Sequence, residues 1–236
     1  MAATGIGLRV WAGSLLALTM VLSGLPAHAQ TPGAAPAPGT GDHGPQRPPL
    51  FLREEWQQGP KGGENSVTAA SLGNPDLELT LIVPGGQIML TGNAGDEGNP
   101  VHVWQGLCTT PCGLALRSKQ RFADLTGLAR IRWNTKMSGY HQIRPIVKLA
   151  DGTWLAADRT AGSARDWQQS ELFVADLHWL KLDITRAVTT GTPIEHVDLS
   201  KVDQIGFIDL MPGSGHGPGG WSDVAQIEVF AKSLPR

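Results

Sequence analysis

The chain has 236 residues, room for one domain of ordinary size and a tail. With 21 acidic and 19 basic residues its formal charge is −2, which excludes the strongly basic face that non-specific nucleic-acid binding needs. Gly (30) and Pro (17) are too few for a low-complexity disordered chain but many for a helical one, so the composition points to a turn-rich β-protein.

The first segment reads as a leader. Met1 to Arg9 carries one positive charge and no acid, Val10 to Leu25 is almost wholly apolar, and Ala27 and Ala29 put small residues at a cleavage point. That is a secretory signal peptide over residues 1–29. The apolar run falls short of the roughly 20 residues a spanning helix needs, so no membrane segment is expected after cleavage. The mature chain would carry 18 basic and 21 acidic residues and be secreted or periplasmic. Residues 30–49 (QTPGAAPAPGTGDHGPQRPP) have no apolar period and read as a tether, leaving residues 50–236 as one domain.

Within that domain strand signals follow one another. Asp76–Ile82 alternates with period two; Gln87–Leu90 and Val101–Trp104 are short apolar runs. Cys108 and Cys112 come next, in Cys-Thr-Thr-Pro-Cys. In an exported protein these predict a short-loop disulfide, since zinc would need a second ligand pair and a redox site a Cys-x-x-Cys. Leu114–Lys119 and Ala129–Thr135 again alternate, and Ile143–Leu149, Trp154–Ala157, Glu171–Val174, Leu180–Ile184, Val202–Ile208 and Val224–Phe230 complete the series. Many short strands between Gly-, Pro- and Asn-rich turns predict an all-β fold, a single jelly-roll β-sandwich of antiparallel strands.

Two turns suggest registers. Met137-Ser138-Gly139 reads as a three-residue hairpin loop pairing Arg132 with Arg144, and Asp151-Gly152 as a two-residue turn pairing Arg144 with Arg159. One face would then hold Trp133, Val147, Trp154 and Ala156 as core. The other would hold Arg132, Asn134, Gln142, Arg144, Lys148 and Arg159, with three arginines in one row. Like charges side by side destabilise a sheet, so either acids such as Glu78 or Glu171 interleave, or the register slips, or the row is an anion- or polyol-binding face. Trp104, Trp167 and Trp221 lie beside loops, where a half-exposed indole suits the apolar face of a sugar ring. Trp104 joins the row as a candidate ligand contact.

Catalytic signatures are scarce. Gly215-x-Gly217-x-x-Gly220 matches a dinucleotide fingerprint only formally, because Pro218 interrupts it and a strand follows. Glu54, Glu55, Asp183 and Asp209 offer carboxylates for glycoside hydrolysis, but adjacent glutamates on a strand face opposite ways. The histidines, His102 and His141 among them, lack ligand spacing.

The C-terminal run Val197–Leu210, a Gly-rich loop and Val224–Phe230 resemble the last two strands of galactose-binding-domain-like β-sandwiches. These include carbohydrate-binding modules and the complex I intermediate-associated family. The resemblance covers the chain from Val197 onward, and the rest agrees only in strand richness. It implies ligand binding by a sheet face or end loops, and in many such domains a structural calcium, although no acidic cluster here matches that site. No other cofactor is expected. The expected function is exported recognition of a polysaccharide or oligosaccharide, an acidic one if the arginine row binds it. The alternatives are a glycoside hydrolase or a polysaccharide lyase using Tyr140, His141 and Arg144, and a ligand-free envelope or protein-interaction domain.

Overall fold

Residues Arg130–Ser138 alternate buried and half-buried without a break over nine positions, the period-two signature of a strand with one face on the core. The computed structural model describes residues 46–59, 65–83, 87–161, 163–211 and 220–236, all of them in the unit His43–Arg236. The leader, residues 30–45 of the tether, and Gly215 and Gly217 lie outside the described residues. No helix among the described residues is long and apolar enough to cross a membrane.

In chain order the strands are β1 (Leu50–Glu55), β2 (Asn65–Ser66), β3 (Leu77–Ile82), β4 (Met89–Thr91), β5 (His102–Trp104), β6 (Cys112–Ser118), β7 (Arg121–Asp124) and β8 (Arg130–Ser138). They continue with β9 (Ile143–Leu149), β10 (Trp154–Ala157), β11 (Gln168–Phe173), β12 (Trp179–Asp183), β13 (Val188–Ile194), β14 (Val202–Asp209), β15 (Trp221–Phe230) and β16 (Lys232–Pro235). The first sheet runs β11-β8-β15-β5-β4-β2, with β1 also on β15. The second runs β13-β12-β10-β9-β14-β6-β3, with β7 bridging β14 and β16. Every pairing is antiparallel. Ile131, Trp133 and Ile227 of the first sheet share one buried cluster with Leu116, Val147 and Phe207 of the second. Each such side chain contributes about 1.5–3 kcal/mol by leaving water. The all-β jelly-roll sandwich expected from the sequence is therefore what the chain forms.

Neither expected register holds. β8 and β9 belong to different sheets. The alternation runs on past Thr135, so Met137 is core, and Gly139, at φ 68°, turns the chain across to the second sheet. Two strands with one apolar face each gain more by facing each other across a core than by lying side by side. Asp151-Gly152 does form a hairpin, but its loop has three residues: Leu149 donates to Thr153 O at 2.8 Å, and Gly152 sits last at φ 93°. The added residue pairs Trp154 with Lys148 and Ala156 with Ile146. A one-residue slip exchanges the faces of a strand. Trp154, expected in the main core, therefore lies half-buried on the outer side of the second sheet, with Lys148 5.8 Å from its ring centre.

A buried polar chain fastens the two sheets at one end. His141 Nδ1 lies 2.6 Å from Asp209 Oδ2, Ser222 donates to the same oxygen at 3.1 Å, and Gln105 donates to Cys112 O at 2.8 Å. Cys108 and Cys112 are bridged, as expected.

Candidate functional site

On the outer face of the first sheet, Trp104 of β5, Asp223 of β15 and Lys136 of β8 are direct neighbours across three adjacent strands. Their chain neighbours Val103, Val224 and Thr135 point the other way, into the core. Trp104 lies over Gly106, where a Cβ would stand 2.3 Å from the indole. Trp221 ends the same face opposite Ser138. Trp167 reaches in from the segment before β11, donating from Nε1 to Gly98 O at 3.2 Å and meeting the His102 ring edge-on at 5.1 Å. Lys136 Nζ lies 5.2 Å from the centres of both Trp167 and Trp221. All three tryptophans are half-buried.

The next row along the face is polar and uncharged in its middle: Gln226, Asn134 and Gln169 are cross-strand neighbours, with Glu55 beyond Gln226. Glu55, Asn134 and Gln226 line an open cleft of about 290 Å³, walled on one side by Ala94 and Pro100. The loop carrying that wall is fixed from within: Asn93 donates to Asn99 O at 2.9 Å and Asp96 accepts from Gly98 and Asn99. In the third row bases and acids alternate, Arg53, Glu228, Arg132 and Glu171. Arg132 and Arg53 both bind the Glu228 carboxylate, and Arg130, from the row beyond, binds Glu171 at 3.0 Å.

Asp223 is the unusual group. It is 3% exposed, its Oδ1 has no hydrogen-bond partner, and its Oδ2 is 3.6 Å from His102 Nε2. His102 Nδ1 is 2.7 Å from Pro100 O. A carbonyl only accepts, so the ring proton sits on Nδ1 and Nε2 presents a lone pair to the carboxyl. Burial pushes the Asp223 pKa up to about 7, against the pull of Lys136, and burial lowers that of His102.

The expected ligand residues are divided between the sheets. Arg132, Asn134 and Trp104 share the outer face of the first sheet. Arg144 and Lys148 lie on β9 in the second, where half-buried Arg144 donates to Ala157 O and Asp158 O. Gln142 accepts from Thr160 at 3.1 Å, and Arg159 is exposed after β10. The row of three arginines therefore does not exist. Lys136, His102 and Asp223 were missed, although carrying the alternation of β8 two residues further puts Lys136 in phase with Arg132 and Asn134. Among the described residues no three His, Cys, Asp or Glu side chains group to hold a metal. Of the carboxylates offered for hydrolysis, Glu55 lines the cleft and accepts from Gln226 Nε2, while the other three are engaged elsewhere. Buried Glu54 accepts from Gly73 at 2.6 Å, Asp183 binds Arg186 at 2.7 Å, and Asp209 holds His141. Of the lyase set, Tyr140 and Arg144 line one open cleft with Gln142, whereas His141 is buried and turned to Asp209.

No family model and no curated protein matches the chain. Solved structures are similar to it in fold. One is a family 11 carbohydrate-binding module from Clostridium thermocellum in complex with a β-1,3-1,4-mixed-linked tetrasaccharide. It is 15% identical, with a TM-score of 0.44 over 72% of this chain and 96% of that one. The family 11 module of the cellulosomal cellulase Lic26A-Cel5E of the same organism is 16% identical, with a TM-score of 0.45 over the same shares. TmCBM61 in complex with β-1,4-galactotriose is 10% identical, with a TM-score of 0.35 over 67% of this chain and 90% of that one. The class defined by fold and site is an antiparallel β-sandwich with a tryptophan-walled polar face, and none of these similarities assigns a residue or ligand to this chain.

Proposed function

We propose that the chain is an exported, non-catalytic carbohydrate-binding module, and that it binds polysaccharide along the outer face of the first sheet. The observation that carries this reading is the gathering of Trp104, Trp167 and Trp221, from three separate segments, around one end of a solvent-facing sheet. Indoles offer flat apolar surface for the C–H faces of pyranose rings. The adjoining cleft, with Asn134, Gln226 and Glu55, supplies donors and acceptors for hydroxyl groups. The acidic glycan suggested by an arginine row loses that support, because Arg132 is neutralised by Glu228; an acidic ligand would have to be read by Lys136.

Affinity electrophoresis and calorimetry against neutral and acidic polysaccharides test the proposal. Retention without product formation is expected, weakened in Trp167→Ala and Trp221→Ala. A folded protein that no polysaccharide retards, or one whose binding survives both changes, overturns it.

A further inference from the structure

Every arginine on the outer face of the first sheet has a carboxylate partner, but Lys136 forms no ion pair among the described residues. Its half-buried ammonium is framed by two indole faces, which attract the charge yet accept none of its three N–H bonds in the ordinary geometry. A partly desolvated donor held between two stacking surfaces is complementary to a saccharide that carries an anion on its ring. The acid across the strand, Asp223, forms no ion pair with it: it is buried, with one oxygen unpartnered.

We propose that Lys136 is the specificity-determining residue of the glycan site and pairs with the carboxylate of a uronic acid whose ring is held by Trp167 and Trp221, with a proton taken up at Asp223 on binding. The inference rests on the reading of this face as a carbohydrate site and adds the chemical class of the sugar.

The proton linkage has a definite sign. An ionised Asp223 below Lys136 repels an incoming carboxylate, so the bound state favours the protonated acid. The lone pair of His102 Nε2 facing Oδ2 acts in the same direction. With the Asp223 pKa already near 7 in the free protein, binding of a uronate draws in a proton, and affinity rises as pH falls from about 8.5 to about 6. The groups facing Asp223 from its neighbours are Lys136 on β8 and His102 on β5. Protonation of His102 at lower pH also favours an anion. Asp96 and Glu97 on the cleft loop and Arg165 and Asp166 beside Trp167 are exposed and form no ion pair with either residue among the described ones.

The test uses the full chain and hexamers of α-1,4-galacturonate, β-1,4-mannuronate and β-1,4-glucuronate, each beside its carboxyl-reduced neutral form, titrated calorimetrically between pH 5.5 and 8.5. At least one uronate is expected to bind tenfold or more tightly than its neutral form, as for a charge-assisted hydrogen bond. Lys136→Gln, shown to be folded by its melting transition, should abolish that preference, and Lys136→Arg should retain most of it. Asp223→Asn should flatten the pH profile at the level the unaltered chain reaches near pH 6. Equal or better binding of the neutral hexamers, or an acid preference that survives Lys136→Gln, overturns the role of Lys136 and leaves the carbohydrate site standing. Binding of neutral polysaccharides with no binding of any uronate does the same. Failure of every glycan overturns both.

Discussion

Arg132 of β8 and Glu228 of β15 face each other across adjacent strands on the outer side of the first sheet. Arg53 of β1 closes on the same carboxylate from the opposite side. Glu228 is 1% exposed, and although burial opposes it, the two guanidinium groups hold its pKa below the usual glutamate range. Glu228→Gln should therefore destabilise the fold by about 2–4 kcal/mol, because it strands two cations rather than removing a surface pair. Arg53→Ala should cost less, since that side chain is half exposed. Denaturant melts of the two variants check the order.

The pH dependence of stability separates two kinds of buried acid. Glu228 is ionised in the folded state below the pH at which an unfolded glutamate protonates, so its contribution is complete above about pH 4.3 and is lost as the pH falls further. Glu54 and Asp223 are shifted the other way, both to about 7 by burial, with the Gly73 and Asn74 amides only partly offsetting it at Glu54. Between about pH 4 and pH 7 the folded state keeps protons that the unfolded chain has released, so stability falls with rising pH across that window. Each group should account for about 1–3 kcal/mol of the decline. Unfolding free energies measured from pH 4 to 8 should drop and then level off, and Asp223→Asn should reduce the drop. A curve that rises through this window would contradict both assignments.

The fold was legible because its cores are patterned at period two. Ile143–Leu149 and Trp154–Ala157 match the sequence reading to the residue. The edge strands were not: Val188–Ile194 contains Gly and Pro and is almost wholly exposed, so no alternation marks it. β1 carries Leu-Phe-Leu-Arg-Glu-Glu, in which buried Glu54 breaks the polar-outside rule. The candidate site was half legible. Asn134 and Trp104 could be found from residue type and local phase, but whether Lys136 neighbours Trp221 or an arginine depends on which strand lies beside β8. That choice is made by a crossover and not by the turn between β8 and β9. A turn motif reports chain reversal; it does not report whether the reversal stays within one sheet.

The disulfide should matter locally more than globally. Cys108 and Cys112 enclose a short loop, for which chain entropy predicts about 2 kcal/mol. Thiol titration of the denatured, unreduced protein should find no free thiol. Reduction should lower the midpoint modestly while loosening the Gln105 contacts to Cys112 and, through Ser222, the link to Asp209. Faster amide exchange at Gln105 and Ser222 on reduction, with the far strands unchanged, is the expected signature.

Two tryptophans should respond in opposite ways. Trp133 is fully buried and its Nε1 donates to Ser170 at 2.8 Å, so Trp133→Ala opens a large cavity and orphans a hydroxyl. The cost should be about 3–5 kcal/mol, with glycan affinity unchanged at temperatures where the variant remains folded. Trp167 is half-buried, held by one bond to Gly98 and flanked by His102 and Lys136. Its removal forfeits roughly 1 kcal/mol of stability, but it deletes one of the two surfaces on which a sugar ring would rest. Glycan affinity should fall about tenfold or more, as expected when a central aromatic anchor of a binding surface is truncated. Melting temperature and affinity measured on both variants decide the matter. If binding survived both Trp167→Ala and Trp221→Ala, the outer face of the first sheet would cease to be the site, whatever became of Lys136.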